Sequence, residues 1–266
     1  MADNRPIGVF DSGLGGLTVV KEIKKIMPNE SIVYFGDTGR VPYGTKSREI
    51  ITRYAREDEK FLLSHDVKMI IAACGTVSSV AYMTAKELPV VFFEMITTAA
   101  KTAVSVSKSG RIGIIGTPAT INSQAHAKVI LKERPDAFIV AKACPLFVPL
   151  VEEGWISDND EITYKTAMRY LEPIKQADVD TLIMGCTHYP ALSKVISSVL
   201  GNQVTLINPG ESLAKDVKQY LDKNNAFNTG EAKHTYFVSD RAESFSKTAS
   251  ILLGEDIGEF VEQVDI

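Results

Sequence analysis

Ile7-Gly8-Val9-Phe10-Asp11-Ser12-Gly13-Leu14-Gly15-Gly16, followed by an amphipathic run over 17–27 and the apolar Ser31-Ile32-Val33-Tyr34-Phe35, reads as strand, glycine-bearing turn, helix and second strand. A short apolar run alternating with a helix-length periodic one is the signature of a βαβ unit, and hence of parallel sheet. The pattern continues along the chain. Further strands are expected at 69–73, 90–93, 111–116, 138–143, 181–184, 204–207 and 234–238, with periodic helical stretches between most of them. The fold class is therefore α/β, doubly wound and mostly parallel.

At 266 residues the chain is long for one compact core, which favours two lobes. The order of parts supports this. A strand with the polar loop Asp11-Ser12-Gly13 precedes a strand ending at Cys74, and a strand with Thr117-Pro118-Ala119-Thr120 precedes a strand ending at Cys186. Two such sets predict two pseudo-symmetric α/β domains facing each other across a crevice, each giving one polar loop and one thiol. The first domain is expected to comprise 1–97 plus 210–266 and the second 98–209. The strand at 234–238 then packs back onto the first.

Apolar residues make up 45% and charged residues 23% of the chain, an ordinary globular balance. The net charge of −4 disfavours a nucleic-acid partner, and Lys21-Glu22-Ile23-Lys24-Lys25 reads as a solvated helix face. No apolar stretch approaches the roughly 18 residues of a membrane span, and residues 1–6 lack an apolar signal core. Neither membrane insertion nor export is expected, which makes the cytoplasm the default location. Three cysteines are an odd count and not a disulfide framework.

Cys74 and Cys186 each follow an apolar strand, and in a parallel sheet the crevice at the carboxyl ends of the strands is where ligands bind. Each precedes a threonine and an expected helix start, where the helix field can lower a thiol below its free value of about 8.5. His188 stands two residues beyond Cys186, Asp11 approaches Cys74 from the first strand end, and Glu152 could orient His188. Cys144 lacks polar company and reads as structural. The Asp11–Gly16 loop is either an N–H cradle suited to an ammonium group or a plain tight turn, while the Tyr43 phenol and the Gly44 N–H suit a carboxylate.

Three chemistries fit these residues. Zinc held by Cys74, Cys186 and His188 is one, although a Cys and a His two apart on a strand-turn-helix corner are awkward ligands. A papain-like Cys74 nucleophile with His188 as base is another, and it leaves Cys186 unused. The third takes a proton from carbon with one thiol and returns one to the opposite face with the other, which inverts a stereocentre.

Nearly end to end, the motifs resemble the glutamate racemases of the cofactor-independent aspartate/glutamate racemase superfamily. They are Ile7–Gly16 as quoted, Gly36-Asp37-Thr38 with Pro42-Tyr43-Gly44, Ala72-Ala73-Cys74, Gly113-Ile114-Ile115-Gly116-Thr117, Ala143-Cys144-Pro145-Leu146 with Val151-Glu152, and Gly185-Cys186-Thr187-His188-Tyr189-Pro190. The last is the most specific. The resemblance implies that Cys74 and Cys186 are the acid/base pair, one for each enantiomer of glutamate, assisted by Asp11, Glu152 and His188. It assigns Ser12, Tyr43, Gly44, Gly75, Thr76, Thr117, Thr120 and Thr187 to the substrate, and implies a small-molecule partner, no metal, no pyridoxal or other cofactor, D-glutamate supply for peptidoglycan, and a homodimer.

The chain departs from the pattern in three places. Gly75 stands where the family usually has Asn, removing an amide worth roughly 1.5–3 kcal/mol if it bonded a charged substrate group. The segment over 92–98, at the expected lobe crossover, is about two residues longer than usual, and Asn208 replaces a commonly acidic residue. Weaker racemisation, another acidic substrate such as aspartate, or a non-catalytic binding paralogue are the alternatives these changes open.

Overall fold

The apolar runs pair side by side into two parallel sheets. The structure, a computed structural model, describes residues 2–80, 84–240 and 242–266. In chain order the first part runs β1 (Ile7–Asp11), α1 (Leu17–Ile26), β2 (Ile32–Gly36), α2 (Arg48–Leu63), β3 (Met69–Ala72), α3 (Gly75–Val80) and β4 (Val91–Glu94). The second runs α4 (Met95–Val106), β5 (Arg111–Gly116), α5 (Pro118–Ser123), α6 (Ala125–Glu133), β6 (Phe138–Ala143), α7 (Phe147–Glu152), α8 (Glu161–Gln176), β7 (Thr181–Met184), α9 (Ser193–Leu200) and β8 (Thr205–Ile207). The chain closes with α10 (Pro209–Asn224), β9 (His234–Val238), α11 (Ala242–Leu253) and β10 (Val261–Gln263).

One sheet has the order β10-β9-β2-β1-β3-β4 and the other β6-β5-β7-β8, and each observed pairing in both is parallel. The run β2-β1-β3-β4 matches β6-β5-β7-β8 strand for strand. β3 and β7 thus occupy equivalent places, and Cys74 and Cys186 each lie two residues past their ends. β1 and β5, also equivalent, lead into the Asp11 and Thr117 loops. This is the two-lobed α/β arrangement that the alternation of elements predicts.

The central strands β1, β2, β3, β5 and β7 are buried on both faces, as parallel strands covered by helices must be, while the outer strands are only partly so. In α1 the residues Leu17, Val19, Val20 and Ile23 turn inward and join Ile7, Val9, Ile32 and Tyr34 in one core. α10 packs on both α1 and α4, tying the two halves together behind the crevice.

Most expected strands appear within one residue of their places. β10, short and only partly buried, carries too little pattern to be read. The unusual crossover segment is no loose insertion: β4 ends at Glu94, whose carboxylate accepts the N–H groups of Ile96 at 2.6 Å and Thr97 at 2.9 Å and so caps α4 directly. No helix among the described residues is long and apolar enough to cross a membrane.

One buried ion pair fastens the two chain ends of the first sheet's lobe. The Lys68 ammonium lies 2.6 Å from the Glu30 carboxylate and donates to the carbonyls of Asp3 and Ala226, each at 2.9 Å, while Glu30 accepts the Asn228 N–H at 2.8 Å. Lys68→Ala strands a buried carboxylate and should cost roughly 3–5 kcal/mol, read as a lowered urea midpoint with an unchanged slope.

Candidate active site

The loops that leave β1, β3, β5 and β7 meet in the crevice between the sheets. Asp11, at the end of β1, is almost fully buried at 1% exposure. Its carboxylate accepts the Gly13 N–H at 2.8 Å and the Thr187 hydroxyl at 3.4 Å. Burial raises it above the ordinary carboxylate value, while the charge of His188 and the N–H groups of Gly13 and Gly16 pull the other way. The loop is held from below by Tyr34, whose hydroxyl donates to the Gly13 carbonyl at 2.7 Å.

Cys74 is 5% exposed, and its thiol donates to the Ser12 hydroxyl at 3.5 Å. Burial pushes this thiol up to about 12, with the Asp11 charge adding to the effect and the Val77 N–H and Ser12 opposing it. The helix-field reading, which lowered both thiols, is thus reversed at Cys74. α3 has only six residues, too short a dipole to offset loss of water.

Cys186 is 6% exposed and has different company. Its sulfur lies 3.8 Å from Nδ1 of His188, whose Nε2 donates to the Glu152 carboxylate at 3.2 Å. Burial works against a charged His188, yet the bonds to Cys186 and Glu152 and the charges of Cys186 and Asp11 raise it to about 10. The ring is therefore an imidazolium at neutral pH. Cys144 is fully buried, its thiol pushed up to about 12 mainly by burial, with the charge of Cys186 adding to the effect and Lys142 opposing it.

Three hydroxyls line the seam between the lobes: Thr76 lies 3.1 Å from Thr117, which lies 3.0 Å from Thr120. Gly44 sits against Thr117, close enough that a β-carbon there would come within 3.2 Å of its side chain. Asp11, Ser12, Gly44, Cys74, Gly75, Thr76, Thr117, Thr120, Glu152, Cys186, Thr187 and His188 thus come together from the ends of β1, β3, β5 and β7, the loop after β2, and α7.

Tyr43 is the exception. Its phenol points into the first lobe, where it donates to Asp37 and lies 3.2 Å from Asp58, beside Arg40, which pairs with Asp37, Glu57 and Asp58. Two buried carboxylates need donors more than a solvated ligand does. The side chain supports the Gly44 loop, its hydroxyl taken up by these two carboxylates.

The sequence carries no sign of the contacts that Thr18 and Gly15 make with the Thr187 turn. Thr18 holds the Thr187 carbonyl at 2.9 Å, and a β-carbon on Gly15 would collide with Thr187 and His188. No local signal marks such contacts, because the partners are some 170 residues away. Among the described residues no group of three or more His, Cys, Asp or Glu side chains is arranged to hold a metal ion.

Residues 7–217 match the family model described as Asp/Glu/Hydantoin racemase. The chain belongs to the Asp/Glu/Hydantoin racemase family. It is an isomerase of the amino-acid racemase class. A glutamate racemase of Geobacter metallireducens is 45% identical, the match covering 98% of this chain and 97% of that protein. Among solved structures, the glutamate racemase of Francisella tularensis in complex with D-glutamate superimposes with a TM-score of 0.92 at 38% identity, covering 99% of this chain and 98% of that one. The enzyme of Thermus thermophilus in complex with β-chloro-D-alanine gives 0.90 at 40%, covering 100% and 99%.

The raised His188 fixes a sign for pH. Because its folded value of about 10 lies above the ordinary 6.5, the charged ring stabilises the fold fully below 6.5, and that contribution is lost as pH rises through about 10. Carbon-13 NMR of the imidazole should place its titration near 10. Glu152→Gln should move it down by a few tenths to roughly 0.7 of a unit, since a partly exposed pair contributes about 0.2–1 kcal/mol and one unit is about 1.36 kcal/mol. An unmoved midpoint would separate Glu152 from the ring's charge.

Proposed function

We propose that this racemase interconverts L- and D-glutamate, passing a proton between Cys186 and Cys74 with no metal or organic cofactor. The observation that carries the reading is the placement of two free, buried thiols at equivalent strand ends of two matching sheets, one beside a cation and the other beside an anion. The naming of the relatives as glutamate racemases supports the substrate.

The opposed surroundings suit opposed protonation states. The His188 imidazolium is a counter-charge for a Cys186 thiolate, whereas burial and the Asp11 carboxylate keep the Cys74 thiol protonated. With the α-carbon between them, the Cys186 thiolate takes the α-proton: the C–H bond breaks and an S–H bond forms. The carbanion then takes the Cys74 proton on its other face, closing a C–H bond of inverted configuration and leaving Cys74 as thiolate. The enzyme is left in the complementary protonation state, ready for the other enantiomer.

Water is kept from the carbanion by burial of both sulfurs. Thr76, Thr117, Thr120 and Thr187, with Ser12 and the Gly44 backbone, supply hydroxyls and N–H groups for two carboxylates, and Asp11 suits the ammonium. The physiological reading that goes with this activity is D-glutamate supply for peptidoglycan, in a cytoplasmic homodimer, and it rests on the sequence resemblance.

The test is α-proton exchange of L- and D-glutamate in D₂O, followed by NMR and circular dichroism. The native chain should exchange and racemise. Cys74→Ser and Cys186→Ser should each lose about 10²–10⁴-fold in racemisation, the usual contribution of a positioned acid or base. Undiminished turnover in either would end the two-thiol mechanism, and exchange with aspartate but not glutamate would reassign the substrate.

A further inference from the structure

The two thiol-bearing turns come close at Gly75 and Gly185, where neither residue has a side chain. A β-carbon built on Gly75 would lie 2.5 Å from the carbonyl oxygen of Gly185, 3.5 Å from its carbonyl carbon and 3.8 Å from Cα of Cys186. Real β-carbons do not come within 3.0 Å of another heavy atom. The obstacle is backbone, so no rotamer change relieves it.

Neither turn has room to retreat. Gly185 donates its N–H to the Ile115 carbonyl at 2.7 Å, and on its far side a β-carbon would meet that same carbonyl at 2.7 Å and the ring of buried His126 at 3.1 Å. On the other lobe, Cys74 accepts the Ser78 N–H at 2.9 Å, and the Ser78 hydroxyl donates to Ala72 at 3.2 Å. Both turns are thus braced against their own sheets. A side chain at 75 has one way out, which is to hold the lobes apart.

We propose that Gly75 is a positioning residue that sets how closely the two thiol turns approach, and that its lack of a side chain is what lets the lobes close to this separation. The inference deepens the two-thiol reading and rests on it. It also changes the meaning of the departure at this position. In this chain an asparagine at 75 would not restore a missing grip on the substrate; it would wedge the crevice open and lengthen both proton transfers.

The experiment compares the native chain with Gly75→Ala and Gly75→Asn in two measurements, one of them independent of catalysis. Buried thiols react slowly, so labelling of Cys74 and Cys186 by 5,5′-dithiobis(2-nitrobenzoic acid), resolved by peptide mass spectrometry, reads lobe opening directly. Both variants should fold, as judged by far-ultraviolet circular dichroism, and label about tenfold faster or more at both cysteines. Their kcat for glutamate should fall about 10–100-fold in both directions, the cost of misplacing reacting groups by about 1 Å.

Unchanged labelling would overturn the inference, as would a Gly75→Asn variant with lower KM and undiminished kcat, which is the behaviour of a restored amide. Loss of fold in the variants would overturn it too, since the clash would then lie within one lobe. A native chain that neither racemises nor exchanges glutamate defeats the proposed function, yet the labelling comparison still decides whether residue 75 sets lobe closure.

Discussion

Asp11 brings a carboxylate into a place almost without water, and the cost of leaving it unpaired there governs what surrounds it. Its oxygens take the N–H of Gly13 and the hydroxyl of Thr187, so one acid joins the first loop of one lobe to the thiol loop of the other. The same charge helps hold Cys74 protonated and His188 charged. Were Asp11 neutral, the electrostatic contrast between the two thiols would be smaller, though burial at Cys74 and the His188–Glu152 pair would remain.

That contrast is imposed on a scaffold whose halves are built alike. The strand orders β2-β1-β3-β4 and β6-β5-β7-β8 coincide, so backbone geometry treats the two sulfurs evenly. The difference comes from side chains at the rims: α7 delivers Glu152 and the β7 turn delivers His188 on one side, with no counterpart on the other. Symmetry of fold and asymmetry of charge therefore have separate origins in the chain.

Much of this was legible before any coordinates. Alternating apolar runs located nine of the ten strands among the described residues within one residue at each end, because buried parallel strands are largely apolar and their helices periodic. Cys74, Cys186, Asp11 and His188 drew notice by following apolar strands, where a parallel sheet opens its crevice, and Glu152 as a carboxylate that could orient His188. Tyr43 misled because a phenol near a glycine looks ligand-directed, and only its distance from Asp37 and Asp58 shows otherwise. The burial that raises Cys74, the carboxylate cap at Glu94 and the collision course of Gly75 with Gly185 are all products of chain segments remote in sequence. No periodicity or motif encodes them.

The unequal settings of the two sulfurs bear on rates in a way the fold alone does not suggest. Mirror-image amino acids have equal free energy in water, so at equilibrium neither is favoured, and the ratio kcat/KM must be the same in both directions for an enzyme interconverting them. On the proposed two-thiol mechanism, a form of the enzyme with Cys186 as thiolate and Cys74 as thiol would accept one enantiomer, and the complementary form the other. A gain in kcat confined to one direction, with the constants of the other unchanged, would therefore be matched by a proportionate rise in KM for the same enantiomer. The charge placed beside Cys186 cannot bias the outcome of the reaction; it can only decide which form of the enzyme waits for substrate.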